Sequence, residues 1–434
     1  MKLPQKIAIA LFGLILLSIS YFTGRSDSFL LLSQFTVLFG LYLYLAATRD
    51  KISLAEITGF ALLFRLLLLF LIPNLSEDVF RFIWDGKMWL NGLNAYTVLP
   101  SEATNQELQH LSPSLFNSLN SPAYYSIYPP INQLLFYIAA LAENTTFSIV
   151  IIRLFVLAAE IGTLIILPKA LVQFGHSAKN VIWYALNPLV ILELTGSLHF
   201  EAFIIFFAVL ACYHYKKGKW KKSAIWMGFA IAFKLIPVIL LAAVFKKLSF
   251  KKWFQYCLIA GLVFAISIAP VLFSNGFKGM IESSSLYFKS FEFNGSIYYL
   301  SRAFGYWWKN YNIIATTGPL MGILSFISIL VYNIMVKKSV SIAEKFMWTW
   351  FLYCLFATTL HPWYCLPLLA FGLLTHYKFP ILWTFLIFFT YIGYTESGFQ
   401  ENLWITLMEY ILLFTFVVFE IIGRRGSKFT PNSK

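Results

Sequence analysis

The sequence predicts an all-α integral membrane protein, a bundle of about 13 transmembrane segments with interfacial helices in its first outer loop. Three observations lead there. Hydrophobic residues make up 59% of the 434 and charged ones 12%, where a soluble domain is about half apolar and a quarter charged. Mean hydropathy is +0.73. Apolar runs long enough to cross a core of about 30 Å recur from end to end. Barrel-type alternation is absent, which leaves helices as the structure that satisfies its backbone in lipid.

In order, the candidate spans cover about 6–22, 29–47, 53–72, 147–170, 179–195, 198–215, 222–246, 253–274, 313–336, 344–360, 363–376, 380–395 and 402–422. We divide the chain into two N-terminal helices over 1–52, which look like an addition to the core, then a core over 53–312 with outer loops at 73–130 and 275–312, then C-terminal helices over 313–434. Lys2 and Lys6 precede an apolar stretch as in a signal peptide, but no small-residue cleavage site follows, so we expect a first span.

The formal charge of +14 comes from Lys and Arg in short inter-helix loops. These read as orientation signals that face the cytoplasm, and they exclude nucleic acid as a partner. The four cysteines lie inside apolar runs without metal-ligand or disulfide spacing. Lys216–Lys222, Lys246-Lys247 with Lys251-Lys252, Lys337-Lys338 and Arg424-Arg425 all fall on one side under two conditions. Residues 131–143 are too short to cross, and 222–246, basic at both ends and interrupted by Lys234 and Pro237, is a broken hairpin. The loops 73–130 and 275–312 and the turns at 196–199, 361–363 and 396–401 then share the outer face. Lys-, Ile- and Phe-rich usage without eukaryotic retention signals points to a bacterial inner membrane.

The span at 53–72 runs directly into Ser76-Glu77-Asp78-Val79-Phe80-Arg81-Phe82-Ile83-Trp84-Asp85-Gly86. Asp78, Arg81 and Asp85 share a helix face. Ser76 suits the N-cap, with Glu77 and Asp78 in a first turn that favours ionised carboxylates. These acids either stabilise the helix start or do chemistry. Trp84, Met88 and Trp89 continue an interfacial face, and Tyr124-Tyr125-Ser126-Ile127-Tyr128-Pro129-Pro130 returns to the membrane, its prolines forcing Tyr128 into an extended conformation.

That acidic helix start, with Gly92-Leu93-Asn94-Ala95-Tyr96 and Tyr128-Pro129-Pro130 after it, resembles the first external loop of GT-C glycosyltransferases. These polytopic enzymes take a sugar from a polyprenyl-phosphate carrier, and the mannosyltransferase branch is the nearest. The likeness extends to Leu186-Asn187-Pro188-Leu189 with Glu193, to His199-Phe200-Glu201, to Phe233-Lys234-Leu235-Ile236-Pro237 and to His361-Pro362-Trp363-Tyr364. Ala95 stands where the pattern often has proline.

The resemblance implies an inverting transfer of mannose or another hexose to a lipid or glycan acceptor on the outer, periplasmic face. It assigns the general base to the acid that opens the first loop. Asp78 matches that position, with Asp85 and Glu77 ranked after it. Cations must hold the leaving phosphate, and Arg81, Lys234, His199, Arg302 and His361 are the candidates. Lys234 stands out because an ammonium inside an apolar run is costly unless paired or wet. Tyr128, Glu193, Glu201, Trp363 and Tyr364 are candidates for sugar or acceptor binding, and the aromatic stretch from Tyr287 to Tyr311 adds stacking faces. Arg153 and Glu160, seven apart in one span, are expected to pair structurally. No metal or other cofactor is expected, since metal-ligand spacing and nucleotide-binding loops are missing and one phosphate can be neutralised by Lys and Arg. Two rivals remain, a transporter or flippase of lipid-linked glycans and an O-antigen-type polymerase or ligase. The single helix break at 222–246 lacks the repeated counterpart usual in transporters.

Overall fold

A computed structural model describes residues 1–103 and 113–427. The described residues form a helical bundle with one short two-stranded ribbon. Helices α1 (Leu3–Phe22) and α2 (Ser28–Ala47) form an N-terminal hairpin. It is packed into the main core: Phe35 of α2 stacks on Phe388 at 3.6 Å, and the Tyr42 hydroxyl donates to the Trp183 carbonyl at 2.8 Å.

Helix α3 (Leu54–Leu66) begins with a reciprocal capping box between Ser53 and Glu56. The apolar run outlasts this helix, which stops at Leu66 instead of continuing to residue 72. The carbonyl of Leu69, freed by that stop, accepts from Arg153 Nη1 at 2.8 Å. Arg153 also donates to the carbonyls of Thr195 and Gly196. It therefore does not pair with Glu160, which takes Arg65 at 2.7 Å and the Tyr184 hydroxyl in a fully buried cluster. Spacing put Arg153 and Glu160 on one face of one helix, but buried charges find partners across helices, and the open backbone carbonyls claimed the arginine.

Helix α4 (Asp78–Leu90) carries the first-loop motif, followed by α5 (Pro113–Asn117) and α6 (Pro130–Ala140). Gly86 lets α4 and α6 touch, since a Cβ there would meet the Phe136 carbonyl at 2.1 Å. Two backbone bonds close this loop at its base, Ser126 N–H to the Ala95 carbonyl at 2.9 Å and Ser101 N–H to the Pro122 carbonyl at 3.0 Å.

Helix α7 (Thr145–Gln173) is long enough, at ~43 Å, to cross the bilayer with length to spare. After the short turns α8 (Ile182–Ala185) and α9 (Pro188–Val190), a π-helical stretch over Ile191–Gly196 leads into α10 (Glu201–Lys216) through a 117° bend. Leu198 sits in that bend at φ 66°, a left-handed conformation that a branched residue adopts only under constraint. Helix α11 (Trp220–Phe233) stops at Lys234, whose backbone is extended, and α12 (Leu240–Val244) returns toward the end where α11 began.

Helix α13 (Phe250–Leu272) is a full-length span. Helices α14 (Gly276–Lys289) and α15 (Ile297–Lys309) form the second loop. Gly279 lets α14 lie on the first loop, where a Cβ would meet the Tyr96 carbonyl at 2.1 Å. Then come α16 (Ile314–Met335), α17 (Ile342–Phe356), α18 (Leu366–Leu373), α19 (Phe379–Leu386), the ribbon β1 (Tyr394–Thr395) and β2 (Gly398–Phe399), and α20 (Leu403–Ser427).

Among the described residues, six helices are long and apolar enough to cross a membrane, seven with the bent pair counted as one span. The apolar segments after Leu54, Trp220, Ile342, Pro362 and Phe379 are short or broken instead. Irregular backbone is tolerated at membrane depth only where protein covers it, and these breaks face one another.

Candidate active site

The breaks converge at one end of the bundle. Asp78, first residue of α4, has its backbone N–H on the Ser76 hydroxyl at 3.3 Å. Its Oδ1 accepts from the Asn120 side chain at 2.8 Å, and its Oδ2 stands 3.8 Å from Nε2 of His199. The carboxylate is about a quarter exposed, whereas His199 is buried. The bend between the π-helical stretch and α10 aims the His199 imidazole. Its Nδ1 lies 2.9 Å from the Glu193 carbonyl and 3.3 Å from the Glu193 carboxylate, and Tyr391 donates to the other oxygen of that carboxylate at 2.8 Å.

The His199 ring stacks on Trp363 at 3.5 Å, and His361 stacks on the indole at 4.5 Å and 8°. Trp363 thus has imidazoles as neighbours on its stacking surface and serves to hold them. Restricted access to water pushes the His361 pKa down to about 3, with His199 and Lys234 adding to the effect, so this imidazole is neutral. Its Nδ1 has no hydrogen-bond partner among the described residues.

Lys234, at the tip of the α11–α12 hairpin, donates to Glu201 at 2.5 Å and sits 4.2 Å over the Tyr364 ring. The ammonium is paired here and part-exposed, not drawn away toward the far end of its helix. Asp78, His199, Glu193, Trp363, His361, Tyr364, Lys234 and Glu201 therefore form one connected set.

The remaining candidates lie around it. Asp85 is fully buried, with Arg81 on one oxygen at 2.7 Å and Gln133 on the other at 2.9 Å. Arg81 continues to the Ser121 carbonyl at 2.7 Å, next to Asn120. Glu77 turns outward to Arg25, which covers the Tyr394 ring. Tyr128 packs edge-on against Phe82 and Phe136. Arg302 belongs to a neighbouring cluster with Glu292 at 3.4 Å. That cluster reaches the site through Phe293, which bonds backbone-to-backbone with Thr358 and Leu360 and packs on His361 at 4.5 Å.

Sequence reasoning did not single out Asn120, Tyr391, Arg25 or Phe293. Only Phe293 carried a signal, as part of the aromatic second loop.

Residues 5–248, more than half of the chain, match the family model described as alpha-(1->6)-mannopyranosyltransferase, N-terminal domain. The chain belongs to this family. No curated protein and no solved structure matches. As a mannosyltransferase of the GT-C type it requires a sugar donor and an acceptor. The matched stretch includes α1 and α2 and reaches through Lys234, so it holds Asp78, Glu193, His199 and Glu201. Trp363, His361 and Tyr364 come from beyond it, so the connected set draws on both parts of the chain.

Proposed function

We propose that this mannosyltransferase moves a mannosyl group from a polyprenyl-phosphate carrier to an acceptor hydroxyl at the outer membrane face, with Asp78 as general base. The observation that carries the reading is the placement of a part-exposed Asp78 carboxylate beside buried His199, with Lys234 on the same aromatic scaffold. Asn120 fixes one oxygen of the base, and the other, which faces Nε2 of His199 at 3.8 Å, takes the acceptor proton. As the C1–O bond to phosphate loosens, the acceptor oxygen bonds to C1 and Asp78 receives its proton. The phosphate leaves with the bonding pair, toward Lys234 and the His361 edge. Glu201 holds Lys234 until the phosphate arrives.

A single base opposite the leaving group inverts C1. An α-linked product then demands a β-linked mannosyl phosphate. The test is to incubate the purified protein in vesicles with β- and α-linked polyprenyl-phosphate mannose and a mannoside acceptor. Transfer from the β-linked donor alone supports the reading, and transfer from neither lipid, with a nucleotide sugar accepted instead, sinks it. The face is tested by a cysteine at Ser101, expected to react with impermeant reagent from outside intact cells.

A further inference from the structure

The helices α10 and α11 tie the active site to a second charged region. They run from Glu201 to Lys216 and back from Trp220 to Lys234, so their far ends lie roughly 20–24 Å from the site. Three loops distant in sequence meet there. Tyr215 donates its hydroxyl to the Lys247 carbonyl at 3.2 Å, and Lys247 Nζ donates to the Lys338 carbonyl at 2.7 Å. Partial burial lowers the Lys247 pKa, and the charges of Lys216 and Lys338 nearby add to the effect. Beneath them Lys345 is enclosed, and its ammonium donates to the Ala243 carbonyl at 3.4 Å. Among the described residues, none of these lysines forms an ion pair with a carboxylate.

A cationic cluster with no carboxylate in ion-pair contact among the described residues, backed by an enclosed ammonium, suits an anion. Its position says which one. Helix α13 starts at this edge, three residues after Lys247, and presents Phe250, Phe254 and Leu258, one per turn, as an exposed apolar stripe. Cations above an outward apolar stripe match a molecule with a phosphate head and hydrocarbon tails.

We propose that this end of the bundle binds an anionic phospholipid, its phosphate against Lys216, Lys247 and Lys338 and an acyl chain along Phe250, Phe254 and Leu258.

Native mass spectrometry of the full-length protein in detergent, with equimolar phosphatidylglycerol and phosphatidylcholine, reads the preference directly. Wild type is expected to retain phosphatidylglycerol selectively. The triple variant Lys216→Gln, Lys247→Gln, Lys338→Gln should lose about 100-fold of that preference, and the matching triple arginine variant should keep it. Equal retention of both lipids by wild type, or an unchanged preference in the glutamine variant, would overturn the proposal. So would displacement of the lipid by millimolar inorganic phosphate, which would identify a free-phosphate site instead. Should the triple variant not fold, Lys338→Gln alone should lower the preference about fivefold, and no change there refutes the assignment.

Discussion

Nε2 of His199 faces Oδ2 of Asp78 at 3.8 Å while Nδ1 lies 2.9 Å from the Glu193 carbonyl. A carbonyl only accepts, so this contact places a hydrogen on Nδ1. The neutral ring then turns its Nε2 lone pair to Asp78, and the protonated ring turns a donor to it. Asp78→Asn keeps shape and loses basicity. Its turnover should fall roughly 10²-fold or more, with donor affinity unchanged in a binding assay.

Asp85 gives the contrasting outcome. Its carboxylate is closed in by Arg81 and Gln133, and removing it strands a buried guanidinium. Asp85→Ala should destabilise the protein by about 3–5 kcal/mol, read as a lower melting temperature in detergent, where Asp78→Asn should melt like wild type.

Lys234 and Glu201 separate by a pair of variants. Lys234→Met leaves Glu201 without its cation, so both stability and donor affinity should fall. Adding Glu201→Gln should restore melting and leave the donor KM raised, by about tenfold for one lost charge contact to phosphate. Recovery of KM in the double variant would show that Lys234 serves Glu201 alone.

Asn120 is expected to keep Asp78 in its productive rotamer. Asn120→Asp sets a second carboxylate against the first, which raises the pKa of the pair. The acid limb of the pH–rate profile should therefore move to higher pH, while Asn120→Ser, which retains a donor, should move it less.

His361 makes stability depend on pH. Its pKa falls from 6.5 to about 3 on folding, so below pH 6.5 the unfolded chain binds a proton that the folded one does not. This loss begins as pH drops through 6.5 and is complete near 3. Thermal inactivation should accelerate between pH 7 and 5, and His361→Gln should flatten that dependence.

Much of this site was legible because its residues violate their surroundings. Lys234 is a cation in an apolar run, next to Pro237, and the chain does break there. Asp78 and Asp85 could not be ranked by environment from sequence, since only packing shows that Asp85 is enclosed and Asp78 open. Arg153 and Glu160 illustrate the same limit: spacing gives the face of a helix, but the partner comes from another helix. The π-helical stretch before His199 leaves no mark in hydrophobic periodicity, so the bend that aims the imidazole was visible only in three dimensions. Asn120 lies in a polar loop where nothing distinguishes it from its neighbours.

The backbone bond from Ser101 to Pro122 pins the outgoing and returning sides of the first loop to each other. Asn120, which holds Oδ1 of Asp78, stands two residues from Pro122 and so is anchored by that bond. On the return side Leu115 is buried and Phe116 packs on Trp84 of α4, so the same helix that presents Asp78 is clamped from outside, and the geometry of the carboxylate is inherited from the loop's closure as well as from α4 itself.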